Sequence, residues 1–559
     1  MGQAITSEVN NPQKNHLQFF GGVGVIGGNK ICLTASNGKG ILLDFGWGFD
    51  TSRKYLNNFM DLRGSEVLFD GMTLQELPPP TGYLAGIYRE DLYANKDANL
   101  LARFPFETGK PKTITEVLIC HCHSDHIGNI EKLHPDIVLL CSETNKLVLE
   151  HLDETTKSDS FFAGILKYKS FFCQDPDTDE WSCEKGGKED IIRRKLRAIT
   201  PNTPVTCAED GFEIKFMETD HSMPGAGGFL IRDKQSGIKV VYTGDIRRHG
   251  PNRDQADRFI QAAKDFAPDV LITEGTRIGR DEEKDEFPSE PAVEAELTRV
   301  FKQVALEKSP KLICFECSNK DIWRLRSFYH ATISVGRTLV VGAKEYDLLK
   351  RCIDAKLLSD IDYSKLRVYL PKKKSGLYAP TDYIQNNDIK NVFKKANSEI
   401  PVKTYKTGPK KGLPKPPAVY ETIDPTKKFG IKAEEIRENP RQYVIELPYY
   451  AMMEFCDILP PPGSYYITSK SAPFDDEQEI DEKKRLNWLT QFQFSKQNRK
   501  EIHCSGHISR PDLEQMIKTI HPKKIFPIHT TQSEEFLKMG LDELGIEVIL
   551  PEHNKSYSI

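Results

Sequence analysis

Ile119-Cys120-His121-Cys122-His123-Ser124-Asp125-His126-Ile127-Gly128-Asn129 packs three imidazoles and one carboxylate into six positions. The apolar, β-prone run Val117-Leu118-Ile119 leads into it, so the stretch reads as a buried strand opening into a turn. In extended backbone alternate residues share a face. That lets His121 and His123 grip one cation while Asp125 and His126, pointing elsewhere, grip a second. Imidazole with carboxylate is the donor set of a zinc site. The plainer reading is a polar surface loop, and the His-x-His-x-Asp-His order argues against it.

Upstream, Phe19 to Leu33 carries glycines at 21, 22, 24, 27 and 28, which suggests tight turns between short strands. It does not follow a strand and open a helix, so it is not a dinucleotide fingerprint. Gly40 to Gly46 is a buried strand ending in Asp44-Phe45-Gly46. Downstream, the strand Phe212 to Met217 runs into Asp220-His221-Ser222-Met223-Pro224. The next, Gly237 to Thr243, delivers Gly244-Asp245, and Asp269 to Thr273 delivers Glu274. Successive strands thus end on ligand or acid–base residues, the layout of an α/β site.

The wider composition excludes little. The chain has 559 residues, 38% hydrophobic and 28% charged, with net charge −4. Roughly two to four domains is the expectation for such a length. There is no overall basic signature of nucleic-acid binding. No run approaches the ~18 apolar residues of a membrane span. Twelve cysteines without regular spacing fit reduced thiols in a cytosolic protein. Cys314-x-x-Cys317 lacks a second pair and reads as core. Met1-Gly2-Gln3-Ala4-Ile5-Thr6 fits a myristoylation pattern, a short motif with little specificity.

Past Ser289-Glu290-Pro291, which opens a helix, strands and helices alternate through Lys311 to Cys317, Asp321 to His330 and Thr338 to Gly342. That alternation implies a parallel sheet with its own core. Tyr443 to Leu447 and Tyr465 to Thr468 read as returning strands, with a Lys/Pro-rich stretch over 396–430 before them. Glu501 to Ser505 then feeds Gly506-His507, Ser509-x-x-Asp512 caps a helix, and Lys524 to Pro527 feeds Ile528-His529.

The ordered set His121/His123/Asp125/His126, His221, Asp245, Glu274, His507 and His529 resembles the metallo-β-lactamase-fold nucleases with a β-CASP insert, nearest the ribonuclease J type. Gly21-Gly22-Val23-Gly24, Tyr242-Thr243-Gly244-Asp245 and Ser505-Gly506-His507 support the resemblance. It departs at Gly275, at Val25, and in lacking the C-terminal domain of bacterial ribonuclease J. The resemblance implies a four-layer αββα fold with an inserted α/β β-CASP domain. The metallo-β-lactamase domain would span 1–286, with insertions near 52–112 and 152–196, and be completed by 499–559. The β-CASP domain would span 287–498 and close over the metals.

By the family pattern His121, His123 and His221 hold one zinc, Asp125, His126 and His529 the other, and Asp245 bridges them. Mn²⁺ is the alternative to two Zn²⁺. His507 is expected to protonate the leaving oxygen, oriented by Glu274; with Asp125 these make the catalytic set. Ser318, Asn319, Ser505, Gly506 and Ser509 are expected to hold a substrate phosphate, because hydroxyl and amide donors can surround it. Ordinary capping is the competing reading of these five.

The expected function is a cytoplasmic two-metal ribonuclease acting 5′ to 3′, with endonuclease activity open, on RNA that includes 5′-monophosphorylated ends. Histidine at 529 favours RNA over DNA in the family. A DNA nuclease of the same fold and a catalytically silent RNA-binding β-CASP subunit are the alternatives; a homodimer is allowed and no membrane is implied.

Overall fold

The computed structural model describes residues 14–57, 60–96, 98–156, 164–170, 172–174, 181–183, 191–279, 287–372, 430–473 and 475–559. The myristoylation pattern and the Lys/Pro-rich stretch, apart from Gly430, lie outside the described residues.

Two seven-stranded sheets carry the site. The first runs, edge to edge, through Leu196–Ile199, Val138–Ser142, Ile114–Leu118, Gly40–Phe45, Lys30–Thr34, His16–Gly21 and Ser556–Ser558. The second runs through Pro204–Cys207, Phe212–Glu218, Gly227–Asp233, Lys239–Tyr242, Val270–Glu274, Lys524–Ile528 and Glu547–Val548. The inner strands, such as Lys30–Thr34, Gly40–Phe45 and Val270–Glu274, have two buried faces, which explains why they read as continuous apolar runs. In Gly40–Phe45, Ile41 and Leu43 face the second sheet while Leu42 faces outward. In Lys239–Tyr242, Val240 and Tyr242 face the first sheet and Val241 faces outward.

Helices cover both outer faces. Glu143–Thr155 buries Val148, Leu149 and Leu152 against the first sheet. Arg253–Phe266 and Arg510–Ile520 bury Phe259, Ile260, Leu513 and Ile517 against the second. The result is the four-layer αββα architecture expected from the sequence, with an α/β unit inserted. Residues of the 52–112 stretch, among them Leu68, Phe69 and Tyr88, join the outer core of the first sheet. Buried Glu76 ties them to the histidine turn, accepting from Gly48 N (2.9 Å), Asn129 Nδ2 (2.6 Å) and Lys30 Nζ (3.1 Å).

The inserted unit has its own all-parallel seven-stranded sheet, ordered Gly430–Ile431, Leu366–Tyr369, Thr338–Val341, Tyr443–Glu446, Ile313–Cys317, Tyr465–Ser469 and Arg499–Glu501. Glu290–Ala305 starts where the sequence places it, with Ser289 Oγ accepting from Ala292 N (3.3 Å). The segment that feeds Gly506-His507 leaves the sheet at Glu501, where the strand Arg499–Glu501 ends. Register pairing stops at Thr468–Glu501, and beyond it the carbonyls are taken by Ser469 Oγ, Phe287 N and Arg324.

Arg324 of the inserted unit forks onto Glu290 through Nε and Nη2, both at 2.8 Å, and both residues are buried. Burial alone would raise the Glu290 carboxyl, but Arg324, Arg247 and Ser327 outweigh it and hold it at about 2, below its ordinary 4.5. A carboxylate depressed by folding stabilises fully above its unfolded value, so this stabilisation is lost as pH falls from about 4.5 toward 2. Urea unfolding measured from about pH 6 to about pH 3 is expected to show that acid limb. Glu290→Gln should flatten it, and should be the less stable protein near neutrality because Arg324 is left buried without its counter-charge.

Candidate metal centre

The site lies where strands of both sheets end. Phe212–Glu218, Lys239–Tyr242, Val270–Glu274 and Lys524–Ile528 all point the same way, since two antiparallel steps restore direction. Their ends deliver His221, Asp245, Glu274 and His529. The first sheet delivers the histidine turn after Ile114–Leu118, with Asp125 and His126 on the one-turn helix Ser124–Ile127. Backbone packing here is close. A Cβ on Gly46 would fall 1.6 Å from Asp125 O, and Gly244, with φ +57, would set one 2.8 Å from Gly227 O. Only glycine fits either position.

Seven of the residues singled out from sequence converge as two groups that share Asp245. In one, His123 Nδ1 lies 3.0 Å from His121 Nε2 and 3.2 Å from His221 Nε2. Asp245 Oδ2 is 3.6 Å from His121 Nε2 and 3.7 Å from His221 Nε2. In the other, Asp125 Oδ2 is 3.0 Å from His529 Nε2 and 3.7 Å from His126 Nε2, while Asp245 Oδ2 is 3.3 Å from His126 Nε2. Zinc holds such donors tetrahedrally at about 2.0–2.2 Å, which puts the donors about 3.3–3.6 Å from one another. The observed separations bracket that range.

Two atoms bear directly on whether a cation fits. His126 Nε2 and Asp245 Oδ1 are buried without a hydrogen-bond partner. An unsatisfied buried polar atom costs about 1–3 kcal/mol, and a dication between the groups satisfies both. Electrostatics agree. Burial and the neighbouring histidines hold His121 and His123 well below the ordinary imidazole value, and burial pulls His221 down to about 4. Burial also opposes charge on His126 and His529, yet Cys120 with the carboxylates around His126, and Asp245 with Asp125 around His529, overcome it; His529 is pushed up to about 9. Acidic groups thus outweigh burial around these two imidazoles, a setting that favours cations. To hold a metal, His126 and His529 would have to give up those protons, because a ligating imidazole nitrogen must be bare.

Several supporting residues were not read from sequence. Asp44 Oδ1 accepts from Cys120 N (2.9 Å), and Oδ2 accepts from His126 Nδ1 (2.8 Å) and Tyr242 OH (2.5 Å). This directs His126 Nε2 into the cluster. Thr276 Oγ1 likewise accepts from His529 Nδ1 (2.9 Å), and Gly506 O accepts from His221 Nδ1 (2.6 Å). Asp44 and His529 both sit in the left-handed region, with φ 56° and 53°. Their hydrogen bonds hold that backbone strain at the site. The signal for Asp44 was its place as a carboxylate closing an otherwise apolar strand. In Asp44→Asn the single amide oxygen cannot accept from Cys120 N on one side and from His126 and Tyr242 on the other, and the charge is lost, so zinc affinity should fall about 10–100-fold in a competing-chelator titration.

His507 stands beside the cluster. Its Nδ1 is 3.0 Å from Glu274 Oε2, and Glu274 Oε1 accepts from Ile246 N (3.0 Å). Burial acts to raise the Glu274 carboxyl, but His507 outweighs it and keeps it ionised. Of the five phosphate candidates, Ser509 already spends its hydroxyl hydrogen, donating to Asp512 Oδ2 (3.1 Å). Ser509 Oγ caps Arg510–Ile520, accepting from Asp512 N (3.3 Å), and Ser505 Oγ accepts from His507 N (3.2 Å). Gly506 supports His221. Ser318 and Asn319 are exposed beyond the strand Ile313–Cys317. Next to them Lys320, which desolvation lowers to about 8, lies within electrostatic reach of Asp125 and Cys122.

Residues 497–551 match the family model described as the Zn-dependent metallo-hydrolase RNA specificity domain. The chain carries that domain. It contains His507 and His529, so two residues of the centre belong to a segment typical of zinc-dependent hydrolases. No curated protein matches the sequence. Among solved structures, a protein of unknown function from Enterococcus faecalis V583 is 20% identical with a TM-score of 0.66, covering 98% of this chain and 100% of that one. The two share a fold. The metallo-β-lactamase fold protein YhfI from Bacillus subtilis is 17% identical with a TM-score of 0.23, over 47% of this chain and 72% of that one. Among the described residues no helix is long and apolar enough to cross a membrane.

Proposed function

We propose that the protein is a two-zinc ribonuclease of the β-CASP, ribonuclease J-like kind, hydrolysing RNA phosphodiester bonds from the 5′ end. The observation that carries this reading is the pair of donor groups sharing Asp245, with the His507–Glu274 pair beside them. His121, His123 and His221 would hold one ion, Asp125, His126 and His529 the other, and Asp245 both; bound zinc supplies Lewis acidity at a phosphoryl oxygen and offsets its developing charge.

The chain's own residues do the rest. Asp44, Thr276 and Gly506 O fix the outer nitrogens of His126, His529 and His221, so the inner nitrogens stay aimed at the cluster. Glu274 accepts from His507 Nδ1, leaving Nε2 to carry a proton to the departing oxygen. The inserted α/β unit adds Lys320 near Asp125, which suits a polyanion. The buried free thiols of Cys32, Cys120 and Cys141 fit a cytoplasmic setting.

The test is turnover of zinc-loaded protein on 3′-labelled and 5′-labelled RNA of one sequence, with the matching DNA in parallel. Expected are RNA loss from the 5′ end, faster with a 5′-monophosphate than a 5′-hydroxyl, and little on DNA. DNA cleaved at the same rate would transfer the reading to the DNA nuclease. No cleavage of either by metal-loaded protein would end it.

A further inference from the structure

The segment that returns from the inserted unit to the centre, Ile502-His503-Cys504-Ser505-Gly506-His507, has left the sheet, yet none of its carbonyls is idle. Ile502 O accepts from Ser469 Oγ, and His503 O from Phe287 N (3.1 Å). Cys504 O accepts from Arg324 Nη2 (3.3 Å). Ser505 O accepts from Arg247 Nη1 (3.3 Å) and His249 Nε2 (2.8 Å). Gly506 O and His507 O accept from His221 Nδ1 (2.6 Å) and Arg277 Nη1 (3.4 Å).

The two arginines at the middle come from opposite sides. Arg324 belongs to the inserted unit, Arg247 to the layer that carries Asp245. Both are 0% exposed, and each has its own carboxylate: Glu290 forks onto Arg324, and Asp220 Oδ1 accepts from Arg247 Nε (3.1 Å). Asp220 precedes His221, so the Arg247 pair links the His221 loop to the Ser505 peptide. Buried guanidinium groups are costly and a well-packed apolar pair can replace them. Here one terminal nitrogen of each, Arg324 Nη2 and Arg247 Nη1, donates to consecutive carbonyls, those of Cys504 and Ser505, which packing alone does not require; Arg324 Nη1 donates to Ser469 Oγ (2.7 Å), and Arg247 Nη2 has no hydrogen-bond partner among the described residues.

We propose that Arg247 and Arg324 are positioning residues for the centre. They set the Cys504 and Ser505 peptides so that Gly506 O meets His221 and His507 meets Glu274. Because Arg324 is part of the inserted unit, that unit must be seated for His507 to be in place. The role given to His507 rests on the proposed function; the backbone restraint does not.

Arg247→Lys and Arg324→Lys keep the charge and remove the fork. With zinc-loaded full chain, folding is checked by thermal unfolding, local order by amide exchange, and turnover on RNA. Expected is faster exchange confined to 499–509, a kcat lowered about tenfold to a hundredfold, and a KM within about twofold. If a lysine variant does not fold, Ser469→Ala, which removes the hydroxyl between Arg324 Nη1 and Ile502 O, is expected to show the same pattern more weakly. Folded variants with unchanged exchange over 499–509, or with local exchange raised and kcat unchanged, overturn the proposal. So does exchange raised throughout with kcat falling only as the folded fraction falls. Exchange is read without substrate, so a wild-type protein inert toward RNA would refute the proposed function and leave this restraint to stand or fall by itself.

Discussion

Asp245→Ala is expected to abolish turnover, by on the order of 10³-fold or more, and to leave purified protein with at most one zinc per chain. The estimate exceeds the 10–100-fold cost of losing an outer partner, because Asp245 alone faces both donor groups. Its Oδ2 is 3.3–3.7 Å from His121, His126 and His221, and its Oδ1 is 3.8 Å from His529. Without it each donor group would keep three protein donors, but none of the described donors would be common to the two. The fold should not suffer equally. Burial acts to raise this carboxyl and the surrounding histidines outweigh it, holding it well below the usual carboxylate range, so it is a charge held in place by other charges.

Stability separates this from simple unfolding. In the presence of a chelator the variant and the natural chain should melt within a few degrees of each other. With zinc, the natural chain should gain stability by mass action on a native-state ligand, and the variant should gain little. A variant that melts far lower with chelator present would make Asp245 a structural residue. A variant with two zinc ions and full turnover would remove it from the centre.

How much of this was legible in the sequence follows distance along the chain. His121, His123, Asp125 and His126 sit within six positions, so backbone alternation was enough to suggest two donor sets. The strands were legible because both faces are buried, and periodicity lost to continuous apolar runs. Asp44 was not, although it holds His126, because 82 residues separate them and a strand-ending aspartate has many ordinary uses. Ser505 and Ser509 read as phosphate donors because hydroxyl type is visible in sequence, whereas the donation of the Ser509 hydroxyl to Asp512 Oδ2 is not. Glu501 to Ser505 alternates polar and apolar residues, yet the strand ends at Glu501. Arg247 and Arg324, at its back, take carbonyls that a ladder would otherwise use.

His507→Ala is expected to keep both zinc ions and lose about 10²–10⁴-fold in kcat, the range that a positioned acid contributes. The side chain is on the rim, 22% exposed, with its Nδ1 3.9 Å from Asp245 Oδ2 but 3.0 Å from Glu274. Removing it empties no donor position of either group, so metal analysis should not change. The leaving group then decides the role. An RNA alkoxide is a poor leaving group that needs a proton, whereas p-nitrophenolate departs without one. On a nucleoside 5′-(p-nitrophenyl phosphate) the variant should therefore lose about tenfold or less, while on RNA it loses the full amount. Glu274→Gln should behave as a weaker copy. The double variant should be little worse than His507→Ala, since two residues acting as one unit are not additive. Equal losses on both substrates would mean that His507 binds or shapes the site instead of donating a proton. Zinc loss in the single variant would place it among the ligands, and the division between the four-residue groups and the His507–Glu274 pair would have to be redrawn.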